Sequence, residues 1–152
     1  MSHVHATTSA DRLRINGPFG EIEVDRRDII RFPEGLPGFE ATRAFVLLTS
    51  ETTAPLQYLH AVEGAPASFL AIDPKLVLEN YRCEVNEADR HRLGADHGEA
   101  LLWLALVMVE ADGAITANLR APLVINPRRM VGHQMMPHQC LYPLRHVLTP
   151  AP

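Results

Sequence analysis

Four side chains able to hold a metal or move a proton fall within fourteen residues: His133, His138, Cys140 and His146. Imidazole and thiolate are the donors of structural zinc, but such sites use paired ligands two to four residues apart, twice over. Only His138 and Cys140 stand that close, so no metal is expected. His3 and His5 lie in a polar N-terminal stretch and read as solvated. The two cysteines, Cys83 and Cys140, can pair if the fold brings them together, although a reducing cytosol favours buried free thiols. Cys83 lies between Arg82 and Glu84, and strand alternation turns it away from both, as an inert core thiol. No nucleophile elbow, Ser-x-x-Lys, phosphate-binding glycine loop or dinucleotide fingerprint occurs. Asp25, Asp28 and Glu34 flank turns, where carboxylates serve solvation. The chain reads as a non-enzyme without a cofactor.

Surface recognition is the chemistry that remains. Phe32-Pro33-Glu34-Gly35-Leu36-Pro37-Gly38-Phe39 fixes φ at two prolines and frees it at two glycines, inside an apolar frame. That composition predicts a sharply folded loop whose tip, Glu34 and Leu36, is exposed. In Asn118-Leu119-Arg120-Ala121-Pro122-Leu123-Val124-Ile125-Asn126, Pro122 cannot donate to a ladder and must mark an edge, a bulge or a break between short strands. The asparagines at its two ends can bond their own backbone. Two readings stand: a kinked edge strand, or an edge or groove held open for another chain.

The elements that position these segments are predominantly strands. From Leu13 onward, short apolar alternations are broken by Gly, Pro, Asp or Asn every eight to twelve residues. That spacing predicts a mainly β, antiparallel barrel or sandwich-like single domain, with one or two short helices. Strands are expected at 19–24, 28–32, 44–48, 57–62, 68–72, 81–85, 101–109, 115–120, 123–126 and 130–136. Ala100–Val109, ten unbroken apolar residues, is read as a central strand buried on both faces, turning at Asp112-Gly113. It has about half the length of a membrane span. A helix over 86–93 is capped by Asn86 and stopped by Gly94. Phe39, Phe45, Tyr58, Phe69 and Trp103 fall on different segments, as core aromatics would. Residues 1–12 read as a disordered arm ahead of a domain over 13–152, and the absence of a secretory signal makes the cytoplasm the default location.

The net charge is −4. Residues 1–112 hold all 18 carboxylates against ten basic residues, whereas residues 113–152 hold four arginines and no carboxylate. A nucleic-acid binder is normally basic overall. An acidic excess instead repels nucleic acid or attracts a basic partner, if it forms one face.

Phe19-Gly20-Glu21-Ile22-Glu23-Val24 and Phe32–Phe39 together closely resemble the opening of the flagellar assembly factor FliW family. Further blocks follow in order: Phe45–Leu48, Tyr58–Val62, Phe69–Pro74 and Tyr81–Val85. The most specific late block is Asn118-Leu119-x-Ala121-Pro122-x-Val124-Ile125-Asn126, followed by Gly132-x-Gln134 and Tyr142-x-Leu144-Arg145-His146. Departures are His60, where the family often has glutamine, a longer polar arm, and Arg90 and Arg92 diluting an acidic helix.

The resemblance implies a cytoplasmic, non-enzymatic, barrel-like protein with two partners, flagellin and the translational regulator CsrA. The two compete: flagellin occupies the factor and frees CsrA to repress flagellin mRNA, and exported flagellin releases the factor to sequester CsrA. No direct nucleic-acid or membrane contact is implied. A flagellin-only chaperone and a small-ligand or metal-binding barrel are the alternatives. Locked backbone with apolar side chains lowers the ordering cost of association, which marks Glu34, Leu36, Pro37, Phe39, Asn118, Arg120, Pro122 and Asn126 as partner-facing. The competing view places Phe32, Phe39, Leu119 and Ile125 in the core, with both motifs merely fixing the fold.

Overall fold

The computed structural model describes residues 11–137 and 140–152. His3, His5 and His138, and the expected arm up to residue 10, lie outside the described residues. Alternation of apolar and polar residues produces strands β1 (Arg12–Gly17), β2 (Gly20–Asp25), β3 (Ile30–Arg31), β4 (Ala44–Thr49), β5 (Gln57–Ala61) and β6 (Ser68–Ile72). Helix α1 (Glu87–Leu93) follows, then β7 (Leu102–Val109), β8 (Ile115–Ala117), β9 (Leu123–Asn126), β10 (Val131–Gln134) and β11 (His146–Thr149).

Seven strands close a barrel in the order β7-β6-β5-β4-β3-β10-β9 and back to β7. Its pairs are antiparallel except β3 with β10, which run parallel at Val131 and Arg31. Closure depends on the length of β7. Its first half pairs with β9, Leu102 opposite Ile125 and Leu104 opposite Leu123, and its second half pairs with β8. β8 and β9 thus share one edge of β7 and are separated by 118–122, so Pro122 marks a break between two short strands. β11 adds to β8 as an outer strand. The barrel interior is filled by Phe32, Phe45, Leu59, Leu104 and Leu123.

The expected helix forms as composition dictates. Asn86 Oδ1 accepts the Asp89 N–H at 2.8 Å, and Gly94 ends the helix at φ +64°, a left-handed conformation favouring glycine.

Several expectations need correction. β1 forms a hairpin with β2 from Arg12 onward and holds its place with the Arg12–Glu23 and Arg14–Glu23 ion pairs. Neither β1 nor β11 is legible: both are half-exposed, β1 mixes charged with apolar residues, and β11 is only four residues long. Tyr81–Val85 is no strand: the Arg82 N–H donates to the Tyr142 hydroxyl at 2.9 Å rather than to a ladder. The segment lies over a second apolar cluster formed by Ile72, Ala105, Val107, Ala117 and Leu119. Residues 28–32 reduce to the two-residue β3, since Arg26–Asp28 forms a 3-10 turn capped by Asp25. β7 is buried on both faces only near Leu104 and Ala105, and Met108 and Val109 emerge into solvent. The two charge classes also interleave, since Arg128 pairs with Glu99.

Candidate functional site

The proline–glycine loop is two successive tight turns. Gly35 N–H donates to the Phe32 carbonyl at 2.8 Å, and Phe39 N–H to that of Leu36 at 2.7 Å. Gly35 sits at φ +64°, and a Cβ there would lie 2.6 Å from the Glu40 Cα, so only glycine lets the chain fold back on itself. The outcome reverses one expectation. Leu36 is 2% exposed and packs with Phe32 in the core; the loop's tight return drives its central apolar side chain inward. Pro33, Glu34, Pro37, Gly38 and Phe39 are exposed, the last at 44%. Phe39 keeps an edge-to-face contact with Phe69, ring centroids 5.0 Å apart, and is a rim aromatic rather than a core one.

The second segment is pinned by its own side chains, as its asparagines suggested. Asn118 Oδ1 accepts the N–H groups of Arg120 and Ala121 at 3.1 and 3.0 Å. Asn126 Oδ1 accepts that of Arg128 at 3.0 Å. Asn126 is nevertheless fully buried, and its Nδ2 donates to the carbonyls of Leu93 and Gly94 at the end of α1. Pro122 is also buried, and its carbonyl receives the Met135 N–H at 2.8 Å. Arg120 is exposed, with Nε donating to the Tyr142 carbonyl at 2.8 Å.

Loop and segment meet across one groove of 740 Å³. Glu34, Leu36, Pro37 and Phe39 line it from the loop, and Asn118 and Ala121 from the segment. Leu36, Pro122 and Asn126 therefore belong to the frame, whereas Glu34, Pro37, Phe39 and Asn118 face the space. Arg120 points along the outer surface instead. Sequence reasoning missed the groove's apolar floor of Phe69, Leu106, Met108, Met136 and Leu144. One signal was available: Leu104, Leu106 and Met108 alternate along β7, so the face that fills the barrel at Leu104 runs on into the groove. Met108 is 60% exposed there.

Charges line the rim. Glu34 is ion-paired with Arg92 of α1, and the guanidinium holds its carboxyl below the usual range. Arg92 also reaches Asp89 at 3.4 Å. Buried His133 lies beside this cluster. Burial, and after it Arg92, push its imidazole below the ordinary value, against the pull of Glu34 and Asp89. The Thr116 hydroxyl donates to Glu110 at 2.6 Å, and Arg145 adds a cation to the lining. Such a groove can desolvate an apolar segment of a partner and orient it by its rim charges. Among the described residues no His, Cys, Asp and Glu cluster could hold a metal, and no helix is long and apolar enough to cross a membrane.

A family model described as FliW protein matches residues 15–148. The flagellar assembly factor FliW of Natranaerobius thermophilus is 37% identical over 139 residues, spanning 90% of this chain and 92% of that protein. Its counterpart in Thermotoga maritima is 34% identical over 132 residues, spanning 86% and 89%. A crystal structure of the flagellar assembly factor FliW aligns with a TM-score of 0.82 at 31% identity, covering 91% of this chain and 98% of that one. The fold is thus that of a known group, and this chain belongs to the FliW family of flagellar assembly factors.

Proposed function

We propose that this protein is a cytoplasmic partner switch that binds flagellin and the regulator CsrA in turn, through the groove between the proline–glycine loop and residues 118–121. Free flagellin occupies the protein and leaves CsrA to repress flagellin mRNA. Once flagellin has been exported, the protein takes CsrA away from that RNA. The reading has no catalytic step and needs no cofactor, metal, membrane or direct nucleic-acid contact.

The observation carrying it is the meeting of two segments about 80 residues apart in sequence around one apolar groove. Both are stiffened by their own hydrogen bonds, which lowers the entropy lost on docking. A barrel binding a small ligand in its interior is not favoured, because Phe32, Phe45, Leu59 and Leu104 fill that interior.

A gel-shift assay tests the switch. Added protein should release a flagellin-leader RNA from CsrA, and flagellin should reverse the release. Phe39→Glu puts a charge on the rim and should weaken binding of both partners at least tenfold, with a melting temperature close to that of the parent. Undiminished CsrA–RNA complex at saturating protein, with flagellin still bound, would establish the flagellin-only chaperone instead.

A further inference from the structure

Cys83 and Cys140 are 57 positions apart in sequence, yet their Sγ atoms stand 2.8 Å apart as free thiols. A disulfide bond measures about 2.05 Å, so a sub-ångström approach would join them. Access to the two is unequal. Cys83 is half-buried and lines two openings, of 260 and 560 Å³, the larger of which Cys140 also lines. Cys140 is buried, with its sulfur also 3.6 Å from the Leu119 carbonyl oxygen. The thiols sit where a strap, residues 140–145, is laid against the 81–83 segment. Tyr142 stacks on Tyr81 with centroids 4.6 Å apart and accepts the Arg82 N–H. Further along the same strap, Leu144 and Arg145 line the docking groove. One short stretch therefore carries both a thiol and part of the groove wall.

We propose that Cys83 and Cys140 form a reversible redox pair, whose disulfide staples this strap to residues 81–83 and fixes the groove wall borne by Leu144 and Arg145. The oxidant is a hydroperoxide. The Cys83 thiolate attacks one peroxide oxygen, the O–O bond breaks, and the departing hydroxide takes up the thiol proton to leave as water. Cys83 is left as a sulfenic acid. Cys140 then loses its proton, and its sulfur attacks that of Cys83. The S–S bond forms as the S–O bond breaks, and a second water leaves. Two thiols have lost two electrons, and hydrogen peroxide has become two waters. An external dithiol reverses the bond by exchange. Burial pushes the Cys83 thiol up, which makes the first step slow, but a resolving thiol already in contact captures the sulfenic acid before further oxidation.

The staple stands independently of the proposed partners; its effect on docking rests on that reading. Hydrogen peroxide is added to the full chain, thiols are counted after denaturation, and peptides are mapped without reductant. The expected result is loss of both thiols, a Cys83–Cys140 linked peptide from a monomer, and recovery with dithiothreitol. Sulfinic or sulfonic acids, or links only between molecules, would overturn the pair. Amide exchange supplies a measurement free of any partner. Peptides covering 140–145 should exchange about tenfold more slowly when oxidised, an effect absent in Cys140→Ser; equal exchange would overturn the staple's hold on the strap. Flagellin and CsrA titrations come last. If the reduced protein binds neither, the docking reading fails while the thiol and exchange results stand. If it binds them with an affinity oxidation leaves unchanged, the regulatory consequence is wrong.

Discussion

Replacing Asn126 separates the frame of the groove from its contact surface. Its side chain is fully buried, with Nδ2 donating to the Leu93 carbonyl at 2.9 Å and the Gly94 carbonyl at 3.3 Å, and Oδ1 accepting from Arg128 N–H at 3.0 Å. Asn126→Ala removes all three bonds. The Leu93 carbonyl stays buried, and an unpaired buried acceptor costs ~1–3 kcal/mol. The two part-buried bonds contribute roughly 0.5–1 kcal/mol each. A net loss of ~2–5 kcal/mol follows, a fall in melting temperature of roughly 4–20 °C for a chain of this size. Asn126→Asp keeps the shape and the Arg128 contact, but aims a carboxylate at two carbonyls on the negative end of α1. It should be worse than alanine at neutral pH and recover in acid. A carboxyl kept protonated in the folded state has a pKa above its unfolded value of ~3.9. That stability is fully present below the unfolded pKa and is lost as pH rises through the folded one. Melts followed by circular dichroism between roughly pH 4 and 8 read both effects. A parent-like melting temperature for Asn126→Ala, or pH-independent destabilisation in Asn126→Asp, would refute the reasoning.

Two further substitutions probe the same frame. Leu36→Asp, which an exposed loop tip would tolerate, should instead cost ~3–5 kcal/mol by burying a charge at a 2% exposed position; a parent-like denaturant midpoint would contradict the burial. Gly132→Ala sets a Cβ 2.7 Å from Phe32 Cζ and 3.1 Å from Ile125 Cγ1. Overpacking of this kind costs ~1–3 kcal/mol, and Phe32→Leu in the same chain should recover part of it, so additive losses in a double-mutant cycle would show the clash to be relieved elsewhere.

The parts of the fold visible in the sequence are those where one residue type dictates the backbone. Asn86 and Gly94 bracket α1, Asp112-Gly113 turns β7 into β8, and Pro122 breaks β8 from β9. What stayed hidden depends on partners distant in the chain. β1 exists because β2 pairs with it and glutamates of β2 meet its arginines. Tyr81–Val85 has the alternation of a strand, but its Arg82 N–H is satisfied by Tyr142, some 60 residues away, and no local pattern encodes that. Leu36 carries the same lesson. Prolines and glycines announce a tight loop, while the side the central leucine takes is set by Phe32 and the barrel end beneath it.

The candidate site divides along the same line. Glycine, proline and asparagine make the two motifs recognisable because each answers a backbone demand: the Gly35 return, the Pro122 break, the Asn126 cap on α1. Such residues build walls and largely withdraw from the surface. The floor comes from Phe69, Leu106, Met108 and Leu144, ordinary apolar side chains on strands and a strap, with nothing local beyond the alternation along β7 to distinguish them from core. They become a surface only because the inner face of β7 outruns the barrel, carrying the alternation that fills the interior at Leu104 out to Met108. A frame specified by backbone chemistry can therefore keep its shape while floor residues change size or polarity. If the groove is the docking surface proposed above, partner choice rests on the floor and the Phe39 rim, where exposed apolar area is available to be buried.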